Sequence, residues 1–206
     1  MKQTILTIEK NEPVTAAVYR MALRGENLEE QRPGQFLNIR LAGRFLRRPI
    51  SVCDWEENRV TILYKVVGGG VGVPPLYLLA KRLRAEGREV TAVLGFNTRE
   101  EVFGEEAFRA LGCRVTVATA DGSYGVRGFV TDALPEAYSY FYTCGPEPML
   151  KAVWRAAKTS GQFSFEERMG CGFGACMGCS CKTITGSKRI CREGPVLEKE
   201  EILWAD

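Results

Sequence analysis

Apolar and polar residues alternate through the first third of the chain, and then the period changes. Thr4-Ile5-Leu6-Thr7-Ile8, Thr15 to Met21, Gln35-Phe36-Leu37-Asn38-Ile39 and Val60 to Val67 are short runs rich in β-branched and aromatic residues. Turn signals separate them, among them Arg32-Pro33-Gly34 and Glu56-Glu57-Asn58. The pattern predicts a small antiparallel sheet or barrel over residues 1–67.

From Gly68 to Gly161 strands and helices alternate. Leu76, Leu79, Ala80 and Leu83 recur at helical spacing, and Gly87 stands where a C-terminal cap is expected. Strand-like Val90 to Phe96 follows. Thr98 and Glu101 then form a capping-box pair ahead of a helix that stops at Gly112. Arg114 to Ala118 and Tyr138 to Tyr142 predict two more strands, the second leading into a helix with Met149, Leu150, Val153, Trp154 and Ala157 on one face. Alternation of this kind predicts a parallel sheet with helices on both sides over residues 68–161. Residues 162–206 are rich in Gly and Cys and show little periodicity, which predicts a segment ordered by what it binds.

Composition narrows the chemistry. The 206 residues are 45% hydrophobic and 26% charged, as in an ordinary globular protein. A net charge of +3 with interleaved signs gives no reason to expect nucleic acid. Met1 to Leu6 runs straight into polar residues and does not read as a signal peptide, and no stretch approaches the ~20 apolar residues of a spanning helix. A cytoplasmic protein that does not enter the membrane is expected. The chain has no histidine, which excludes Ser-His-Asp and Cys-His catalysis, Rieske centres and His-ligated metals. Cysteine or a bound cofactor must carry the chemistry.

Five of the eight cysteines fall between Cys171 and Cys191, while Cys53, Cys113 and Cys144 are scattered among apolar residues. Cys171, Cys176 and Cys179 give C-x4-C-x2-C, and Cys191 follows at a distance, the plant-type [2Fe–2S] spacing. Such a cluster carries negative charge and needs backbone N–H groups aimed at its sulfurs. Gly172, Gly174, Ala175 and Gly178 let a loop wrap closely enough to supply them. Zinc is the competing metal, but zinc ribbons usually carry two C-x2-C pairs, and one is present here. Cys181, two residues beyond Cys179, does not fit the spacing and is left out of the ligand set.

Gly68 to Pro75 joins a strand to a helix start, so Gly69, Gly70 and Gly72 are candidate phosphate-binding residues. The spacing is not that of the Rossmann fingerprint, and a tight structural turn is the plain alternative. Thr143 to Met149 makes a second strand-to-helix turn. Two such turns at strand ends mark a crevice for a dinucleotide, with Cys144, Gly145 and Pro146 at its lip. Cys144 is placed to pack against a nicotinamide ring or, more simply, to fill space as a small hydrophobe.

These residues resemble a family. Arg48-Pro49-Ile50-Ser51, Val73-Pro74-Pro75-Leu76-Tyr77, Asp121 to Gly125, Cys144 to Leu150, the cysteine run and Cys191-Arg192-Glu193-Gly194-Pro195 are together similar to the electron-transfer subunit of two-subunit dihydroorotate dehydrogenase. That family lies within the ferredoxin–NADP reductase superfamily. The resemblance implies an FAD-binding β-barrel (1–67), an NAD-binding α/β domain (68–161) and a small [2Fe–2S] domain (162–206). It implies that Arg48, Pro49, Ile50 and Ser51 hold the flavin, with Leu63, Tyr64 and Lys65 lining the same site. The chain departs from the family at one point: Tyr64-Lys65-Val66-Val67-Gly68 runs directly into the glycine loop, where the family carries several dozen further residues. The barrel should accordingly be shortened.

The expected role is electron transfer between NAD and an FMN-containing catalytic dihydroorotate dehydrogenase subunit, by way of FAD and the cluster, in pyrimidine biosynthesis and within a heterotetramer. Two alternatives stand beside it: a related reductase subunit serving sulfide, sulfite or ferredoxin, and a flavin-free remnant that keeps only the cluster.

Overall fold

The structure is a computed structural model and describes residues 3–43, 47–65 and 72–204. Its first sheet is antiparallel: β1 (Thr7–Pro13), β2 (Val18–Arg24), β3 (Phe36–Ile39), β4 (Arg48–Glu56) and β5 (Arg59–Lys65), in the order β1-β2-β5-β4-β3. β1 begins later than the apolar run at Thr4 predicts. Ile5 is exposed, while Leu6 folds against Gly25 and Leu28 and joins the sheet's core. β4 was not evident from its Arg-Arg-Pro start. It is bound on both sides: residues 48–51 pair with β3, and beyond an irregularity near Cys53 the strand pairs with β5.

The expected barrel is not closed among the described residues, because β1 and β3 each end the sheet. Helix α1 (Val73–Ala85) covers the sheet instead. Its Leu78 is buried with Leu23, Val52, Val60 and Ile62, and Lys81 Nζ meets Asp54 Oδ1 at 2.8 Å. Two residues further on, on the opposite face of the helix, Ala80 packs with Ala92, Leu94 and Phe108, so one helix serves two cores. Pro74 and Pro75 lie in its first turn, where no intrahelical N–H is needed. At its end Gly87, at φ +76°, donates to Arg84 O while Arg88 donates to Leu83 O, the paired bonds of a Schellman stop.

Next come β6 (Thr91–Phe96), α2 (Glu105–Ala110), β7 (Arg114–Thr119) and the short β8 (Val126–Arg127), which form a parallel sheet in the order β6-β7-β8. The capping box expected at Thr98 does not form. Glu101 accepts from Asn97 N and Nδ2 instead, a single 3-10 turn spans Arg99–Glu101, and α2 starts at Gly104 with φ +82°.

β9 (Phe141–Gly145) leads through α3 (Glu147–Ala156) into β10 (Gly161–Phe165), parallel to β9. The C-terminal segment has more structure than its composition suggests. β11 (Ser180–Thr183) and β12 (Gly186–Arg189) form a hairpin, and β13 (Val196–Glu198) pairs antiparallel with β10. Phe163, fully buried, makes edge contacts with Phe141 and Trp204, and Leu150, Ile190 and Leu197 close the same core. The single parallel sheet expected from the alternation is therefore two sheets, β6-β7-β8 and β13-β10-β9. The junction between Val67 and Gly70, with Gly69 and Gly70 themselves, lies outside the described residues.

Candidate functional site

The cysteine loop leaves the end of β10 and runs to the β11–β12 hairpin. Left-handed backbone at Gly172 (φ +72°), Gly174 (φ +93°) and Met177 (φ +58°) curls it tightly. Cys171 Sγ accepts N–H groups from Phe173 at 3.5 Å and Ala175 at 3.2 Å. Backbone N–H groups, that of Phe173 foremost, then those of Cys176 and Ala175, bring the Cys171 thiol down to about 6. Cys191 N–H donates to Cys179 Sγ at 3.4 Å, and the hairpin is what brings these two positions together. Burial, with Cys179 and Cys171 as neighbours, pushes Cys191 up to about 11. A Cβ on Gly170 or Gly178 would lie 3.2 or 3.5 Å from Cys176 Sγ, so glycine on both sides leaves the sulfur its room.

Cys181 faces different company. Its pKa is raised by burial and by Glu167, and its thiol bonds Lys182 O at 3.7 Å. Among the described residues no three side chains form a ready-made metal cage. What the fold supplies is a loop in which the Cys179 and Cys171 sulfurs lie near enough to act on Cys191 and backbone N–H groups point at sulfur. That donor set fits an anionic iron–sulfur cluster.

Arg189 pins this loop. Its Nη1 donates to Gly174 O at 2.8 Å, and its other nitrogens bind the Glu193 carboxylate, which is held down at about 2. On its far side the loop lies on the N-terminal sheet, with Gly172 against the Asn38 amide. Asn38 pairs with Pro49, so the cysteine loop touches the strand next to Arg48-Pro49-Ile50-Ser51.

The residues expected to hold the flavin lie on adjoining strands. Ser51 and Leu63 flank the Val52–Ile62 pair, and Tyr64 stacks on Tyr19 at 5.8 Å with its hydroxyl bonded to Asn11. Lys65, at the end of β5, acts electrostatically on Glu166. Glu166 Oε1 lies 4.0 Å from the sulfur of Cys144. Glu166 keeps a solvent-facing surface, yet the protein crowding its carboxyl pushes it above the usual carboxylate range while Lys65 works against that. Cys144 is itself buried, and burial pushes its thiol up to about 12. Gly72 starts α1 directly above β9: a Cβ there would strike Cys144 O at 2.3 Å. The structure thus gathers Gly72, Cys144, Gly145, Pro146, Lys65 and Glu166 at the C-terminal ends of β9 and β10. Sequence reasoning missed Glu166, Asn38 and Arg189, since each gains its place through strand register rather than through a local motif.

Residues 166–203 match the model of the iron-sulfur cluster binding domain of dihydroorotate dehydrogenase B. The electron transfer subunit of dihydroorotate dehydrogenase B (NAD(+)) from Geobacillus sp. (strain WCH70) is 36% identical, covering 98% of this chain and 99% of the relative. The corresponding subunit from Shouchella clausii (strain KSM-K16) is 38% identical over 98% of each chain. Both alignments run to 256 positions against a chain of 206 residues, so several dozen positions of each relative face a gap in this one. Among solved structures, an NADH-dependent reduced ferredoxin-NADP oxidoreductase superposes with a TM-score of 0.86 at 26% identity, covering 98% of this chain and 91% of that one. A ferredoxin NADP+ reductase from Neisseria gonorrhoeae shares the fold at a TM-score of 0.62 and 14% identity, over 73% of this chain and 88% of its own. The chain belongs to the family of dihydroorotate dehydrogenase B electron-transfer subunits.

Proposed function

We propose that this protein is an NAD-linked flavin and iron–sulfur oxidoreductase subunit that carries electrons between NAD and a catalytic dihydroorotate dehydrogenase subunit, in pyrimidine biosynthesis. Cys171, Cys176, Cys179 and Cys191 would hold a [2Fe–2S] cluster. Arg48 to Ser51 with Leu63, Tyr64 and Lys65 would hold FAD. The glycine loop ending at Gly72, with Cys144, Gly145 and Pro146, would receive NAD. The three functional regions follow the units 1–67, 68–161 and 162–206, and the protein acts in the cytoplasm as part of a heterotetramer. No helix among the described residues is long and apolar enough to cross a membrane.

When bound, a flavin supplies the conversion between the paired electrons of a hydride and the single electrons an iron–sulfur centre accepts. The chain's own residues set the conditions. N–H groups of Phe173 and Ala175 stabilise negative charge at Cys171. Arg189 fixes the loop that presents them. Burial keeps Cys144 neutral, so the dinucleotide crevice meets an uncharged thiol at ordinary pH. The observation that carries the reading is the seating of the cysteine loop, through Gly172 and Asn38, on the strand beside the flavin residues, because electron transfer needs those two sites adjacent.

Anaerobic titration of the purified protein with NADH tests it. Bleaching of flavin and iron–sulfur absorbance, with about two iron atoms per chain, is expected. Zinc in place of iron, or full oxidation of both chromophores under excess NADH, overturns it.

A further inference from the structure

Gly174 and Ala175 share one peptide group, and both of its ends are bound. Its N–H, on Ala175, donates to Cys171 Sγ at 3.2 Å, and its C=O, on Gly174, accepts from Arg189 Nη1 at 2.8 Å. A single planar unit therefore lies between a guanidinium and a thiol. Gly174 is buried and stands at φ +93°, backbone that glycine enters freely. With glycine there, the peptide can turn over unless something outside the loop holds it. Turned over, it would present a carbonyl oxygen to the sulfur in place of a donor.

Arg189 is built to hold it. Its backbone is fixed by the hairpin register, opposite Ser180, and by Ile190, which is fully buried and donates to Cys179 O at 3.0 Å. Its side chain is fixed from the other edge of the fork. Nε lies 3.1 and 3.0 Å from the two Glu193 oxygens, Nη2 bonds the same carboxylate, and Glu193 Oε2 accepts the Arg189 N–H at 2.6 Å. With that edge taken, Nη1 is left on Gly174 O. A lysine could hold one side or the other, but it has no rigid fork to join both. The carboxylate also offsets the guanidinium's charge, so what reaches Cys171 is chiefly orientation and polarisation passed through the peptide. Arg192 is the contrast. Its stem packs on Gly174, where a Cβ would lie 2.8 Å from Arg192 Cδ, but the residue is exposed and its charge is screened by water and salt.

We infer that Arg189 is a positioning residue that sets the reduction potential of the iron–sulfur centre, by locking the 174–175 peptide with its N–H toward Cys171. Glu193 holds Arg189 in the orientation that does so. The inference rests on the reading that Cys171 is a cluster ligand. Reduction adds negative charge at the ligand sulfurs, so a fixed donor on one of them favours the reduced form and raises the potential. A peptide free to turn lowers it.

The test is the midpoint potential of the holoprotein, followed by the EPR signal of the reduced centre during an anaerobic dithionite titration. Arg189→Lys keeps the charge and loses the fork. Its midpoint should fall by about 30–60 mV, a three- to tenfold change in the one-electron equilibrium at ~59 mV per tenfold. Glu193→Gln should also lower the midpoint, although it removes a negative charge, and it carries the test if Arg189→Lys takes up no iron. Arg192→Gln removes a positive charge from the same loop and should change that equilibrium by less than about twofold. An unchanged midpoint in Arg189→Lys, a rise in Glu193→Gln, or an equal fall in Arg192→Gln and Arg189→Lys each overturns the inference, because through-space charge would then set the potential. A parent protein with about two irons per chain whose variants behave in one of those ways sinks this inference alone. A parent without iron sinks the cluster reading with it.

Discussion

Gly172 rests so closely on Asn38 that a Cβ at position 172 would lie 2.2 Å from the Asn38 Nδ2. The same residue is in the left-handed region at φ +72°. Two separate physical demands therefore fall on one glycine: backbone that L side chains avoid, and contact between the cysteine loop and β3. Gly172→Ala should cost about 1–2 kcal/mol from the backbone conformation alone, and the clash should also lift the loop from the sheet. Gly87→Ala is the control, since Gly87 has φ +76° with nothing near its Cβ position. Both variants should lower the urea midpoint. Gly172→Ala alone should also slow reduction of the iron–sulfur chromophore by NADH. Equal behaviour of the two in that second measurement would remove the loop-to-sheet contact from the electron path.

The cysteines divide into two sets by their surroundings. Cys179 and Cys191 touch through a backbone N–H, and Cys171 and Cys176 share a glycine-lined loop, whereas Cys181 answers to Glu167 and Lys188. Cys176→Ser should cut bound iron severalfold. Cys181→Ser should keep full iron content and an unchanged visible spectrum. Iron and sulfide analysis of the two purified variants decides it, and loss of iron from Cys181→Ser would redraw the ligand set.

Leu78 shows what the shortened sheet costs and how the fold copes. It stands on α1 yet is buried among Leu23, Val52, Val60 and Ile62 of the antiparallel sheet. Truncation leaves a cavity between α1 and the sheet it covers, so Leu78→Ala should destabilise by about 2–5 kcal/mol. Leu79→Ala, one position round the helix, should cost less than half of that. Urea unfolding of both variants measures the difference.

The clustering of Cys171, Cys176, Cys179 and Cys191 was legible in the sequence because three of them sit close together at a spacing that suits a metal cluster. Helix α1 was legible too: its apolar period, its prolines and Gly87 all act locally. Other features depend on partners distant in sequence. Glu166-Glu167 reads as a solvated acidic pair until strand order brings Cys144 and Lys65 alongside it. Asn38 reads as one polar residue of a strand until Gly172 arrives against it. The polar run Ser180-Cys181-Lys182-Thr183 has no apolar alternation, so the hairpin it forms is set by pairing with Gly186–Arg189 rather than by pattern. Glu101 bonds Asn97 in place of the predicted cap, because the chain turns there before α2 begins.

Cys53 gives the pH dependence a clear sign. It is buried at the β4 irregularity, and desolvation first, then Asp54, pushes its thiol from 9.0 up to about 12. A buried thiol favours its neutral form, so the unfolded chain ionises first as pH rises. Between pH 9 and 12 the folded state therefore binds more protons than the unfolded state, and stability falls as pH increases. The loss from this residue should approach about 1.4 kcal/mol for each pH unit within that window, and it should vanish below pH 8. Cys144, raised to about 12 by the same cause, adds a second contribution in the same direction. Cys53→Ala should be less stable than the parent at pH 7.5 because of the space it leaves, but its urea midpoint should fall less steeply from pH 9 to 10.5. Parallel slopes for parent and variant would mean that the Cys53 thiol titrates in the fold as it does in water.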